Sequence, residues 1–503
     1  MGGVAAMTTN VFSADQAGCS GHEDGSSALR QWRAARNWIL INALIYFLTS
    51  LLVWVADIRV FPVLLSIPAL YFVGGVMAFV KLMLLGNPLN PISWYQLGSS
   101  VFFGAGLTIA ALNPNSAIYS VQEQVIDDLL RANLLNSSSV LVVLVVATAL
   151  HEDVQRGYYY AVRGEDRLRQ ALVRVFNPLL YVLPFVIGVK YYTFPIAENL
   201  VLRGIVGYLA YLEMLFYFAL AYLWPQLRIS QKQLGLVFFA LFAFLSIAAF
   251  SKLAAIMPFL IICVGYWLRK TTPRSIVLSG FGLILLYAAI QPAFTVARMT
   301  DYNAPEYSTV YARLTTLRDA VIMISTSNVL DELSSEENTT SFASATSRFS
   351  TLEIQGFLIR EYEDNRPGYS LNDFWVALIP RVLWPDKPNI TRFGAELDGI
   401  FWGRGGESSA LAPSYNGEAY WNYGPLGVFI VSLVLGLELA WLARHAHLAR
   451  LGRDTAYYMI CLPAILLAVY METWVAASYV GGFITLVLIY YIAKRFLPLG
   501  EDR

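Results

Sequence analysis

The stretch 37–57, NWILINALIYFLTSLLVWVAD, decides the fold class of this 503-residue chain. It carries no charged residue before Asp57, and most of its residues are apolar. A helix that crosses the hydrocarbon core of a bilayer needs about 20 mostly apolar residues. The stretch therefore predicts a membrane-spanning helix.

Eleven further apolar runs of similar character follow along the chain, at 60–85, 94–112, 133–150, 172–193, 204–225, 234–251, 253–268, 276–297, 424–443, 455–473 and 475–493. Overall, 57% of the residues are apolar and 14% are charged, with a mean hydropathy of +0.54. An ordinary soluble domain has about 25% charged residues. The sequence thus predicts an all-α, polytopic membrane helix bundle of about twelve transmembrane helices.

The charge balance limits the function as well. Lys and Arg number 35 and so do Asp and Glu, which leaves no basic excess for neutralising phosphates and disfavours nucleic-acid binding. Three cysteines cannot form a disulfide scaffold or a four-cysteine zinc site.

Basic residues predict the orientation, because short cytoplasmic loops are enriched in Lys and Arg. With both termini placed in the cytoplasm, the short outer segments hold few basic residues, namely Arg59, Arg131, Lys190, Arg203 and Lys252. The predicted organisation is a disordered cytoplasmic tail (1–29), helices 1–9 (30–297), an extracytoplasmic loop (298–422), and helices 10–12 with a short cytoplasmic tail (423–503).

The loop 298–422 between the ninth and tenth helices is the main polar region, and loops of this length are usually functional or disordered. Its basic residues are Arg298, Arg313, Arg318, Arg348, Arg360, Arg366, Arg381, Lys387, Arg392 and Arg404. The segment 331–347 is predicted to be mobile. The remainder is rich in aromatic residues and is predicted to form a small folded cap. Within the spans, Glu213 and Glu438 are either functional or bonded to a neighbouring helix.

Two clusters in this loop carry candidate chemistry. The first, IPRVLWPDKP at 379–388, has three prolines, which predict a stiff extended path holding Arg381 and Lys387. An Arg fork matches phosphate oxygens and Lys adds a point charge. Anchoring at the membrane interface is the alternative, since Trp and Arg favour that zone.

The second cluster, PSYNGEAYWNYGPLG at 413–427, runs into the tenth span. Glu418 and Asn422 are four residues apart, on one face if the segment is helical. A carboxylate beside aromatic rings and amides suits a sugar site. The alternative is a glutamate that caps the first turn of a helix.

Several kinds of site are missing from the sequence. With this topology His22, His151, His445 and His447 all lie on the inner side, which excludes a histidine base outside. The outer loop has no Asp-x-Asp pair, and the chain has no GxxxxGK[ST] loop. No metal site and no cofactor are predicted.

The residues of these clusters resemble the bacterial oligosaccharide repeat-unit polymerases, the O-antigen and capsule polymerases of the Wzy class. The likeness lies in 380–388, in Pro413, Gly417-Glu418, Tyr420, Asn422, Tyr423-Gly424 and Gly427, and in Arg348-Phe349-Ser350. It covers the architecture of most of the chain and about 80 residues in motif.

The resemblance implies a glycosyltransferase of the bacterial inner (plasma) membrane that acts on undecaprenyl-diphosphate-linked glycans at the outer face. Its implied partners are a chain-length regulator and a flippase. Glu418 is the first candidate for the base and Arg381 for stabilising the leaving diphosphate, with Glu396, Asp398 and Glu407 as further carboxylates. The residues expected to bind diphosphate or sugar are Arg348, Lys387, Arg392, Arg298, Trp384, Tyr420 and Asn422. An O-antigen ligase, another lipid-linked transferase or a polysaccharide transporter are the alternatives.

Overall fold

The computed structural model describes residues 25–84, 88–112, 122–150, 158–192, 200–248, 252–299, 310–326, 352–379, 383–384, 386–388, 392–402, 412–450 and 454–496. Within these ranges the regular secondary structure is helical. An isolated antiparallel bridge joins Ser414 to Glu472.

Seven of the described helices are long and apolar enough to cross a membrane, and they span Arg33–Val55, Phe61–Leu84, Pro91–Leu112, Gln124–Ala149, Ile229–Ile247, Tyr415–Ala449 and Ala476–Arg495. Three shorter apolar helices lie at Leu172–Gly188, Ala255–Arg269 and Pro273–Tyr287. The predicted all-α, multi-pass membrane architecture is therefore confirmed in outline, while the count of twelve spans stays a prediction.

In chain order the α-helices are α1 (Gly25–Val55), α2 (Phe61–Leu84), α3 (Pro91–Leu112), α4 (Gln122–Ala149), α5 (Tyr158–Tyr192), α6 (Leu200–Leu223), α7 (Ile229–Ile247), α8 (Lys252–Arg269), α9 (Pro273–Met299), α10 (Val310–Thr326), α11 (Leu352–Glu363), α12 (Arg392–Trp402), α13 (Tyr415–Arg450), α14 (Cys461–Val469) and α15 (Phe483–Phe496). Short 3₁₀ segments cover Trp224–Gln226, Ser370–Leu378 and Thr455–Met459. π-helical turns occupy Ser100–Gly106 within α3 and Ala476–Gly482 before α15.

The prediction of one continuous helix over 455–473 is wrong. The structure divides this segment into the 3₁₀ turn Thr455–Met459 and the nine-residue helix α14, which is about 14 Å long at 1.5 Å per residue. The helix ends at Val469 because the backbone beyond it is extended and bridges Ser414 through Glu472. Periodicity and hydropathy carry no signal for such a bridge.

The predicted segment boundaries also need adjustment. Helix α1 already includes 25–29, the last part of the predicted tail, while 1–24 lie outside the described residues. Helix α13 begins at Tyr415 and so contains the end of the predicted loop 298–422. The described parts of that loop form α10, α11, the 3₁₀ segment and α12. The segment 331–347 lies outside the described residues.

A network of buried amides joins three helices at the start of α13. Gln355 of α11 and Asn136 of α4 exchange two hydrogen bonds, of 2.9 and 3.0 Å. Gln355 Nε2 also lies 3.1 Å from Asn416 Oδ1 and 2.5 Å from Ser414 Oγ. All four side chains are fully buried, so each depends on the others for its hydrogen bonds. The network fixes the first turn of α13 against α4 and α11.

The other end of α13 is fixed separately. His445 Nδ1 lies 2.5 Å from Asp454 Oδ2, which also accepts a 3.0 Å hydrogen bond from the Tyr490 hydroxyl. The His445 ring packs 4.6 Å from the Tyr490 ring. These contacts tie α13 to α15. Glu438, one of the two intramembrane glutamates, is buried between the two ends of α13.

Close backbone approach between α3 and α14 gives a first prediction. A Cβ added at Gly98 would lie 2.3 Å from the Val469 carbonyl oxygen and 2.8 Å from its Cα, and both are rigid backbone atoms. We expect Gly98→Ala to destabilise the protein by about 1–3 kcal/mol, because the two helices must move apart.

Thermal unfolding in detergent measures this effect. The matched control is Gly280→Ala, since a Cβ at Gly280 meets open space and alanine favours a helix by about 1 kcal/mol over glycine. Equal melting temperatures for the two variants would contradict the close α3–α14 packing.

Candidate functional site

An apolar groove of about 540 Å³ lies between α13, the 3₁₀ segment Ser370–Leu378 and the π-turn before α15. Its lining residues include Leu371, Asn372, Phe374, Gly427, Ile430, Val434, Val475, Tyr479 and Val480. Volumes of 300–1,000 Å³ are typical of small-molecule sites. Here the walls are nearly all hydrocarbon and aromatic, which suits an apolar chain.

The groove has a polar rim. Asn372 and Tyr423 both line it, and the Tyr423 hydroxyl donates a hydrogen bond to Asn372 Oδ1. The backbone of α13 breaks at this level, because Tyr423 and Gly424 have non-helical torsion angles. Gly424 has φ +60°, a conformation that only glycine adopts without strain, and Pro425 follows it. The Gly-Pro pair thus sets where the groove begins.

Glu418 lies directly behind the groove wall and is only 1% exposed. Its Oε1 accepts a 2.7 Å hydrogen bond from Ser370 Oγ, and its Oε2 accepts a 2.6 Å bond from the Val475 N–H. Val475 precedes the π-turn, so the carboxylate caps the N-terminus of the last helical unit. The alternative interpretation, a capping glutamate, therefore has direct geometric support, although the cap is on another helix.

Asn422 completes this cluster one turn further along α13. Its Nδ2 donates to Ser370 Oγ (3.0 Å) and to the Glu418 carbonyl oxygen (2.9 Å), and its Oδ1 accepts from the Leu371 N–H (3.0 Å). The amide thus holds the 3₁₀ segment against α13. The predicted pairing of Glu418 and Asn422 on one helical face is confirmed, while a contact of Asn422 with sugar stays a prediction.

The described cationic candidates both sit beside the 3₁₀ segment. Arg392 Nη2 forms a 2.7 Å ion pair with Asp373 Oδ2, and both side chains are partly exposed. Lys387 Nζ donates a 2.8 Å hydrogen bond to the Ile379 carbonyl oxygen. The first contact places Arg392 beside Asp373 of the segment, and the second joins the proline-rich loop to the end of the segment.

The aromatic candidates differ in their surroundings. Trp384 stacks on Trp375, with ring centroids 6.0 Å apart and planes at 17°. Tyr420 is half-buried and packs edge-on against Tyr362, with centroids 5.4 Å apart. Trp384 therefore belongs with the 3₁₀ segment, whereas Tyr420 faces α11.

Three of the predicted residues, Arg381, Arg348 and Glu407, lie outside the described residues. Arg298 belongs to helix α9 and Asp398 to helix α12. Among the residues that the structure describes, no three His, Cys, Asp or Glu side chains converge as metal ligands would.

Sequence reasoning missed three residues that the fold places at the site. Ser370 bonds Glu418, Asp373 pairs with Arg392, and Trp375 stacks on Trp384. They belong to the run SLNDFWVAL at 370–378, which lies just before the proline-rich cluster. Its dense mixture of polar and aromatic residues was a usable signal. Their partners, which lie 9 to 48 residues further along the chain, could not be predicted from it.

Comparison with known proteins assigns a family. Residues 185–492 match the protein family described as "Domain of unknown function (DUF8712)". The chain belongs to this family. The matched region contains the groove, the Glu418 cluster and the 3₁₀ segment. No curated protein and no solved structure matches the chain.

Proposed function

We propose that this DUF8712 protein is a lipid-linked oligosaccharide repeat-unit polymerase of the bacterial inner membrane. In this proposal it moves a growing glycan from undecaprenyl diphosphate onto a lipid-linked acceptor unit at the outer face. The groove carries the proposal, because it joins an apolar surface along a spanning helix to a rim formed by Asn372 and Tyr423. A polyprenyl-linked sugar has the same division between an apolar tail and a polar head.

The proposed transfer is a substitution at the anomeric carbon of the donor glycan. The acceptor hydroxyl oxygen forms a bond to this carbon as the carbon–oxygen bond to the diphosphate breaks. The acceptor proton goes to a carboxylate, and the bonding electrons leave with the diphosphate. Positive side chains stabilise the charge that develops on the diphosphate.

The site supports these roles in part through Glu418 and Arg392. A carboxylate has about four acceptor positions, so Glu418 can accept an acceptor hydroxyl in addition to its two protein donors. Leu371 and Val475 line the groove, and their N–H groups bond Asn422 and Glu418, so an acceptor must move between these two residues to reach the carboxylate from the groove. Arg392 pairs with Asp373 and Lys387 bonds the Ile379 carbonyl oxygen, so both lie beside the 3₁₀ segment, and Arg381 is assigned the same role from the sequence.

A larger side chain in the groove tests whether the lipid tail of the substrate binds there. Ile430 lines the groove and is half-exposed, so Ile430→Trp places an indole where the tail would lie. We expect KM for the lipid-linked acceptor to rise about tenfold, which corresponds to about 1.4 kcal/mol of lost binding. The kcat should change less, because the reacting groups are untouched.

The control for this variant is Phe429→Trp, at a neighbouring exposed position of α13 that does not line the groove. Initial rates against acceptor concentration are compared in the same detergent. A KM for Ile430→Trp equal to that of Phe429→Trp would show that the lipid tail lies elsewhere.

A single assay tests the function itself. Purified protein is incubated with radiolabelled lipid-linked oligosaccharide in excess chelator, since cationic side chains are proposed to replace a metal. A ladder of lipid-linked multiples is the expected product. Transfer only to a different acceptor added to the same assay would identify a ligase, and movement across vesicles without bond formation a transporter. Activity that is lost in chelator and restored by Mg²⁺ would overturn the metal-independent mechanism.

A further inference from the structure

We infer that six side chains of the 3₁₀ segment and of the residues packed beside it form a saccharide-binding subsite, which we call the platform. Its residues are Tyr369, Asp373, Trp375, Trp384, Arg392 and Glu396. The inference rests on the proposed function, and it adds where the sugars of the lipid-linked substrate bind.

The aromatic part of the platform is partly exposed. Trp375 is 46% exposed although it stacks on Trp384. An indole face carries negative charge density, so it attracts the polarised C–H groups on one face of a pyranose ring. Lys387 anchors the loop that carries Trp384 to Ile379 at the end of the 3₁₀ segment, which keeps the two rings together.

The polar part of the platform lies at the start of the same segment. Arg392 pairs with Asp373, and the Tyr369 hydroxyl donates a hydrogen bond to Glu396. This bond to the Glu396 carboxylate raises the pKa of Tyr369, while Arg392 lowers it and Asp373 raises it further, so the four groups lie within electrostatic reach.

Packing holds α12 against this segment. The Phe393 ring lies edge-on to Tyr369, with centroids 5.4 Å apart, and contacts the buried Trp474, with centroids 6.0 Å apart. Arg392 and Glu396 are therefore carried by a fixed helix. Exposed ion pairs such as Arg392–Asp373 add little to stability. Planar pairs of donors and acceptors instead match the vicinal hydroxyls of a sugar.

The position of the platform follows from the geometry of the 3₁₀ segment. Asn372 and Phe374 line the groove, whereas Asp373 and Trp375 are not among its lining residues. Residues three apart eclipse in a 3₁₀ helix, so Trp375 follows Asn372 along the groove rim. A substrate whose tail lies in the groove would therefore bring its first sugars onto the platform.

Anchoring in the membrane interface is the competing explanation for exposed tryptophans. If anchoring were the role of Trp375, replacing it would affect glycan binding no more than replacing another exposed tryptophan of the spans. Trp54 near the end of α1 is a matched example, because it is 49% exposed and, by the predicted topology, lies near the same face.

The test measures sugar binding without turnover. Detergent-solubilised full-length protein is applied to an array of bacterial surface oligosaccharides, together with Trp375→Ala, Asp373→Asn and Trp54→Ala. We expect the wild type to bind a subset of glycans, Trp375→Ala and Asp373→Asn to weaken binding at least tenfold, and Trp54→Ala to bind normally. Trp375→Phe should restore most of the binding, because it keeps an aromatic face.

The inference is overturned if the wild type binds no glycan, or if Trp375→Ala binds as the wild type does. The polymerase assay separates this failure from failure of the proposed function. Ladder synthesis with an unchanged acceptor KM in Trp375→Ala would remove the subsite and leave the function. Platform-dependent glycan binding without any ladder would keep the subsite and remove the function.

Discussion

Glu418→Gln is expected to abolish long chains and to leave lipid-linked single repeats in the membrane. Glutamine keeps the shape of the side chain, and its amide oxygen can still accept from the Val475 N–H. Ser370 can then accept from the new NH₂ group, because a hydroxyl both donates and accepts. Only the basic carboxylate is lost. Loss of a positioned base typically lowers a rate about 10²–10⁴-fold.

The measurement is the length distribution of lipid-linked glycan in cells that carry the variant, with membrane protein level determined by quantitative immunoblot. Ser370→Ala is the control, since it removes a hydrogen-bond donor and keeps the carboxylate. For Ser370→Ala we expect the amount of long-chain glycan to fall less than tenfold. Normal polymer from Glu418→Gln at normal protein level would restrict Glu418 to its cap on Val475.

The distinction between base and cap shows what the sequence could and could not reveal. Spacing alone placed Glu418 and Asn422 on one helical face, and the structure agrees. Spacing could not show that the same carboxylate reaches Val475, 57 residues later in the chain. Long-range partners of this kind depend on how helices pack, and hydropathy reports only which stretches enter the membrane.

The same limit explains the segment 455–473. Its apolar character is real, and α14 is strongly hydrophobic. A long apolar run nevertheless does not fix a continuous helix, because Asp454 is held by His445 and Glu472 bridges Ser414. Both ends of the segment are thus attached to other parts of the fold, and the backbone between them breaks into shorter units.

The sequence predicted the kinds of side chain in the site better than it predicted which residues form the site. The sequence indicated a carboxylate, cations and aromatic rings near the start of the tenth predicted span, and Glu418, Arg392 and Trp384 do lie around one 3₁₀ segment. That segment was not itself singled out. Its nine residues contribute to the groove, the Glu418 cluster and the platform because successive side chains point in three directions.

Gln355→Leu is expected to be among the most destabilising single substitutions in the described part of the chain. Leucine approximates the volume but removes every hydrogen bond that Gln355 makes to Asn136, Ser414 and Asn416. Each buried polar group left without a partner costs about 1–3 kcal/mol. We therefore expect a loss of about 3 kcal/mol, seen as a lower melting temperature in detergent.

A double-mutant cycle with Asn136→Leu separates the network from simple packing loss. Gln355 and Asn136 satisfy each other through two hydrogen bonds, so removing both leaves fewer orphaned groups than the two single variants together. The double variant should be more stable than additivity predicts by about 0.5–3 kcal/mol. Strict additivity would show that the amides do not act as one network. Since this network fixes the first turn of α13, its loss should also displace Glu418 and reduce polymer length before the fold is lost.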